Sequence, residues 1–249
     1  MPQPPVALQL WSLREQVKSN FAETIKKVAE LGYQGVELAG YGNFNAEEAA
    51  RALQSASLQV AGMHVGVSRL ENDMDQLISE AKLFNTKNIV LASPGRDFST
   101  VEDCDSFADK LSQYGATLRK AGLKLAYHNH AQEFRSIEGQ SVLDRLYQAT
   151  APRDLKAQPD VWWVLKGGVN PAAYLRALGG RISTVHLKDG KMDESGPAEL
   201  GQGDLPIQEV LTVTAELPNV EWLIVEQEDY NYPPLESVKV CLENLKKLL

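Results

Sequence analysis

Short β-branched or apolar runs alternate along the whole chain with longer stretches of helical period, and this alternation constrains the fold more than any other feature. It is the signature of βαβ units around a parallel sheet: strands covered on both faces need apolar residues throughout, and each parallel pair needs a crossover to return the chain. Eight such runs occur, at Val6 to Leu13, Gly35 to Gly40, Gln59 to Gly66, Asn88 to Pro94, Lys124 to His130, Leu155 to Trp163, Ile182 to Asp189 and Glu221 to Glu228. The first helical stretch, Phe21 to Leu31, puts Phe21, Ile25, Val28, Ala29 and Leu31 near one face. The last, Leu235 to Leu248, does the same with Val238, Leu242, Leu245 and Leu248. Helix starts carry capping chemistry at Asn45, at Ser99-Thr100 and at Asn170-Pro171, and Gly32 and Gly122 stand just past helix ends. Eight pairs without a linker or low-complexity stretch predict a single domain over 1–249, an α/β fold closed into a (β/α)8 barrel. The competing architecture is an open doubly wound sheet, but the first βα turn shows no GxGxxG.

Composition removes several classes of partner. With 25 Lys+Arg against 33 Asp+Glu the net charge is −8, and no basic run supplies the electrostatic footprint of a nucleic-acid binder. No apolar stretch approaches the roughly 20 residues of a membrane helix. The start, Met-Pro-Gln-Pro-Pro, has neither the basic nor the apolar region of a secretory signal. Cys104 and Cys241 lie far apart and outside any CxxC. The expectation is a cytoplasmic protein with free thiols serving as helix packing residues, with homo-oligomer formation left open.

In a barrel of this kind the site forms at the C-terminal ends of the strands, and every histidine stands there: His64 in the third run, His128 and His130 in the fifth, His186 in the seventh. Period-two alternation gives an independent check, since alternate strand residues point into the barrel. Sending Val185 and Leu187 to the helices turns His186 and Lys188 inward. Sending Leu223 and Val225 outward turns Glu226 and Glu228 inward, and Leu125 and Tyr127 outward leaves both fifth-run histidines inside. Glu37 and His64 follow by the same rule. Glu37, Glu133, Asp160 and Glu226 then converge on one cavity, where four carboxylates repel unless a positive charge sits among them. One divalent cation is the simplest remedy; carboxylate oxygens with one imidazole suit Mn, Mg, Co, Zn or Fe and lean toward Mn or Mg. Pro159 predicts a bulge in the sixth strand just before Asp160. Parity allows only one of Trp162 and Trp163 to face the cavity, and Gly201-Gln202-Gly203 reads as a flexible loop with the freedom a lid needs.

The phrases Leu8-Gln9-Leu10-Trp11-Ser12-Leu13-Arg14, Gly35-Val36-Glu37-Leu38, Tyr127-His128-Asn129-His130, Val185-His186-Leu187-Lys188-Asp189, Gly201-Gln202-Gly203-Asp204 and Val225-Glu226-Gln227-Glu228 resemble the xylose isomerase-like TIM barrel superfamily, the sugar phosphate isomerase/epimerase family. The resemblance covers nearly the whole chain and implies a single catalytic metal held by Glu, Asp, His and Glu from strands five to eight. Asp160, His186 and Glu226 fall on the last three ligand positions. At the first, His128 stands where tagatose epimerase-like and inosose isomerase-like members carry Glu, and Glu133, five residues on, is taken as the missing carboxylate. The implied activity is metal-dependent isomerisation or epimerisation of a ketose or related carbohydrate through an enediolate; the alternative is a lyase or dehydratase acting on an inosose or 3-keto sugar. Glu226 would be the base, Glu133 its counterpart, and His128 and His130 the acids. Glu37, His64, Lys188, Trp11 and Trp163 would bind the substrate. An abasic-site endonuclease of the same superfamily fits poorly, because such enzymes use a cluster of metals and more than the four histidines present here.

Overall fold

The computed structural model describes residues 3–193 and 195–249, so Met1 and Pro2 of the N-terminal reading lie outside it. Ten strands form in chain order: β1 Val6–Gln9, β2 Gly35–Leu38, β3 Gln59–Gly66, β4 Asn88–Ser93, β5 Lys124–His128, the short β6 Ser136–Ile137 and β7 Gln140–Ser141, then β8 Lys156–Gln158, β9 Thr184–Leu187 and β10 Trp222–Val225. Eight pair in parallel in the order β8-β5-β4-β3-β2-β1-β10-β9. Bridges from Ala157 to Ile182 and from Asp160 to His186 complete the ring between β8 and β9, where Ser183 N–H donates to the Ala157 carbonyl and His186 N–H to that of Pro159, each at 3.0 Å. The result is a (β/α)8 TIM barrel. The antiparallel β6–β7 hairpin, which periodicity did not predict, lies in the connection after β5.

Helices form where period and caps predicted. Phe21–Leu31 is capped by the Asn20 side chain and ends at Gly32 in the left-handed region, φ 95°. Asn45 with Glu48 and Thr100 with Asp103 form capping boxes, and Asn170 caps a helix with Pro171 in its first turn. The last helix runs Pro234–Leu248. Cys104 and Cys241 are free and buried. Among the described residues, no helix is long and apolar enough to cross a membrane.

Two predicted runs end four or five residues early. The first is a strand only to Gln9; Leu10–Leu13 is a 3-10 turn that carries Trp11, 45% exposed, out of the barrel wall. The sixth stops at Gln158, because Pro159 has no N–H to extend the ladder, and the register slips by one residue between the Ala157–Ile182 and Asp160–His186 bridges, an irregularity just before Asp160 as expected. A helix, Val161–Lys166, begins instead, with Asp160 as its N-cap. Trp162 and Trp163 therefore sit on a helix, and strand parity does not govern them.

Apolar burial divides in two. The main cluster fills the space between barrel and helices; inside the barrel the apolar cluster is small: Ala7, Ala61, Trp222 and Ile224. Trp222 spans the lower interior beside Gly35, where a Cβ would lie 2.9 Å from the indole. Above this plug the inward residues include Gln9, Glu37, His64, His128, His186 and Glu226, with Ala92 among the few apolar neighbours of the cavity.

Candidate active site

The floor of the site is a hydrogen-bonded mesh centred on Glu37, a residue with no exposed surface. Its Oε2 accepts from Gln9 Nε2 at 2.8 Å and lies 2.9 Å from His64 Nε2 and 2.6 Å from His186 Nε2; Oε1 accepts from Gln158 Nε2 at 2.7 Å. Burial pushes the Glu37 carboxyl up, but His64 and His186 outweigh it and hold the group well below the usual carboxylate range. The β2–β3 register slips between Val36 and Glu37, bringing Gly62 opposite Glu37. A Cβ at Gly62 would stand 2.8 Å from Glu37 Oε1, so glycine leaves room for the carboxylate. Gln158 is the second hub: its Oε1 meets His64 Nε2 at 2.7 Å and His128 Nδ1 at 3.2 Å, and its Nε2 also donates to Thr184 Oγ1 at 2.8 Å. Gln9 and Gln158 were missed in the sequence. Both occupy inward positions, beside Leu8 and Ala157 facing the helices, so parity alone could have found them.

Beside this mesh lies a potential ligand group. One donor atom each of His128, Asp160, His186 and Glu226 lies within 4.8 Å of the others, and all four residues are buried. His186 is stretched between two carboxylates, with Nδ1 3.2 Å from Glu226 Oε2 and Nε2 on Glu37. Burial opposes its charge, yet Glu37 and Glu226 push its pKa up to about 10, while His186 draws the Glu226 carboxyl down against burial. Asp160 spends Oδ1 on the Trp162 and Trp163 backbone N–H groups at 2.9 and 3.0 Å; its Oδ2 is buried with no partner among the described residues. Burial raises this carboxyl to about 6. Burial and the neighbouring imidazoles lower His128 well below the ordinary histidine value.

An orphaned carboxylate oxygen among three other donors makes a group that could hold a cation. His186 would then be oriented by Glu37 on its far nitrogen, the common way a protein fixes a ligating imidazole.

The structure places Glu133 apart from this group. It lies in the 3-10 turn Ala131–Phe134, outside the ligand group: Oε2 accepts from His130 N–H at 2.8 Å, and Oε1 accepts from Tyr127 Oη at 3.2 Å. His128, the residue it was expected to replace, stands in the group. Glu133 instead ties down the loop that presents His130, which faces Trp163 at 5.8 Å between ring centroids. Burial lowers the His130 pKa. Lys188 pairs with Glu228 and lies 4.4 Å over the Trp163 ring. Trp11, His64, His128, His130, Trp163 and Glu226 line a cavity of about 810 Å³ at the barrel mouth, whereas Glu37 lies beneath His64 and His186.

The predicted lid loop is fastened rather than free. The buried Asp189 carboxylate accepts from the backbone N–H groups of Gly190, Gly201, Gly203 and Leu205 at 2.8 to 3.0 Å, and a Cβ at Gly203 would overlap Asp189 Oδ1.

Residues 25–248 match the family described as xylose isomerase-like TIM barrel. The chain belongs to that family. Within curated proteins, an inosose dehydratase of Geobacillus kaustophilus (strain HTA426) is 25% identical over 196 residues, 69% of this chain and 62% of that protein's length. An inosose dehydratase of Clostridium tetani (strain Massachusetts / E88) is 22% identical, covering 85% of this chain and 83% of the relative. A sugar phosphate isomerase/epimerase from Parabacteroides distasonis ATCC 8503 superposes with a TM-score of 0.86 at 21% identity over 98% of both chains, a likeness of fold.

Proposed function

We propose that this protein is a divalent-metal-dependent sugar isomerase or epimerase that moves a proton beside the carbonyl of a ketose or related carbohydrate, through an enediolate. The observation that carries the reading is the unpartnered Asp160 Oδ2 within the group His128, Asp160, His186 and Glu226, at the base of an open cavity. Two imidazoles and two carboxylates suit Mn, Fe, Co or Zn, and the second imidazole moves the preference away from Mg. When bound there, the cation supplies Lewis-acid polarisation of the substrate carbonyl.

The chain's own residues supply the rest. Glu226, on the cavity wall, takes the proton from carbon, and the C–H electron pair enters the carbonyl to give the enediolate. Returning that proton to the neighbouring carbon, with a proton passing between the two oxygens, isomerises the sugar. Delivering a proton to the opposite face from His130, which follows β5 three strands away around the eight-strand ring, inverts the carbon, His128 being committed to the ligand group. Trp11 and Trp163 cover apolar sugar faces, and Lys188 binds a hydroxyl.

A second reading, dehydration of an inosose or 3-keto sugar, is favoured by the withdrawal of Glu133. Imidazoles then face Glu226 across the cavity, an arrangement that serves loss of a β-hydroxyl as water once an imidazolium protonates it. The inosose dehydratase relatives agree with it.

The test is incubation of the Mn-loaded protein with ketoses, inososes and 3-keto sugars in D2O. Deuterium at the carbon beside the carbonyl in a product of conserved skeleton supports isomerisation or epimerisation; loss of one water with enone absorbance supports dehydration. Neither, with every metal and sugar, defeats both readings.

A further inference from the structure

Next to the catalytic cavity lies a second one, of about 520 Å³, and the two share Trp163 and Glu228 as a common wall. We infer that the side cavity holds a second, uncharged sugar ring, so that the substrate is a glycoside whose reacting ring occupies the central cavity. This rests on the function proposed above.

Three observations point to a neutral polyhydroxylated group. First, the walls are aromatic and polar together: Trp162, Trp163 and Tyr230 line the cavity. Flat rings with polar edges suit the alternating C–H faces and hydroxyls of a pyranose. Gly190 packs against Trp162, where a Cβ would lie 2.5 Å from the ring, fixing that wall. Second, the charges balance. Lys166, Lys188 and Lys191 are matched by Asp189, Glu228 and Asp229; Lys188 is engaged by Glu228, and Lys191 lies 3.2 Å from Asp204. A phosphate or carboxylate would meet no net positive field. Third, the shared wall carries a waiting donor: Trp163 Nε1–H is buried and has no acceptor among the described residues. A buried donor of this kind costs stability unless something accepts from it, and a small turn of the indole as a ligand enters would present it to a sugar hydroxyl or glycosidic oxygen at the wall. Trp163 and Glu228 are the residues common to the two linings, and Glu228 is paired with Lys188.

The experiment is calorimetry of the Mn-loaded protein with glucose, maltose, cellobiose and glucose 6-phosphate. The expected result is that a disaccharide binds at least tenfold tighter than glucose. Pro197→Trp, which fills the side cavity from a surface loop, should bring the two within about twofold. Trp163→Phe, which keeps a ring and removes only the donor, should weaken the disaccharide by about fivefold, the worth of one hydrogen bond. Equal affinity for one and two rings, no binding of any sugar, or a gain for glucose 6-phosphate alone would overturn the inference. A disaccharide preference that persists while no sugar exchanges a proton in D2O would defeat the proposed reaction and leave the two-ring site standing.

Discussion

The two ends of the barrel interior are built on the same strands with the same parity, yet they hold opposite materials. At the N-terminal end Ala7, Ala61, Trp222 and Ile224 form a small apolar plug. Two residues beyond two of these plug residues the inward positions become Gln9, after Ala7, and Glu226, after Ile224, while His128 and His186 are inward residues of β5 and β9. The lower rim has polar groups too: Lys124 pairs with Glu221, to which Asn88 donates at 3.0 Å. That pair is 32% and 39% exposed, and a solvated pair contributes little stability. The upper groups are fully buried, so the same charges there shift one another's protonation strongly. A step of two residues separates a structural floor from a reactive layer.

Several measurements would break or sharpen this contrast. The largest effect is expected at the top: Glu226→Gln should lower the turnover of proton exchange by about 10²- to 10⁴-fold, the usual worth of a general base, and an unchanged rate removes Glu226 from the chemistry. At the bottom, Ile224→Ala should cost about 2–5 kcal/mol in urea unfolding through transfer and cavity terms. Metal content by elemental mass spectrometry should stay the same; loss of metal would mean the two layers are not separable.

Glu37 links the layers. Glu37→Gln should weaken metal affinity about 10- to 100-fold, the range for a partner that orients a ligating imidazole. It should also change the pH profile of the metal-free protein. His186, raised from 6.5 to about 10, contributes stability fully present below pH 6.5 and lost as pH rises toward 10. Glu37, held below 4.5, contributes stability present above pH 4.5 and lost as pH falls below it. Thermal melts should therefore decline as pH rises above about 6.5 through His186 and as it falls below about 4.5 through Glu37, the raised Asp160 carboxyl adding a loss as pH rises from 3.8 to about 6, and Glu37→Gln should flatten the alkaline slope. A melt independent of pH from 6.5 to 10 in the wild type would break the assigned ion pair. The smallest effect belongs to Glu133→Gln, about 1 kcal/mol from weakened loop hydrogen bonds with metal content unchanged. Metal loss in that variant would return Glu133 to the ligand set.

The barrel and most of its site were legible because strand parity is local. Leu8, Val185 and Val225 pack toward the helices, and the inward places of Glu37, His64, His128, His186 and Glu226 follow from their neighbours alone. Parity failed where the strand ended unannounced. Pro159 stopped β8 after Gln158 and a helix began, so Trp162 is buried and Trp163 reaches both cavities. Glu133 failed for another reason: the turn after β5 aims its carboxylate at the His130 backbone and the Tyr127 hydroxyl, and sequence distance from His128 says nothing of that direction.

By itself the sequence determined the eight strands, their inward faces and the placing of all four histidines at one mouth, because each depends on residues within a strand or turn. Only the tertiary structure decided that Glu37 grips His186 from 149 residues away, that Gln158 joins His64 to His128, and that His128 rather than Glu133 stands within 4.8 Å of donor atoms of Asp160, His186 and Glu226. Those contacts form only when the ring closes, since a hydrogen bond depends on distance and angle between groups that the chain itself holds far apart.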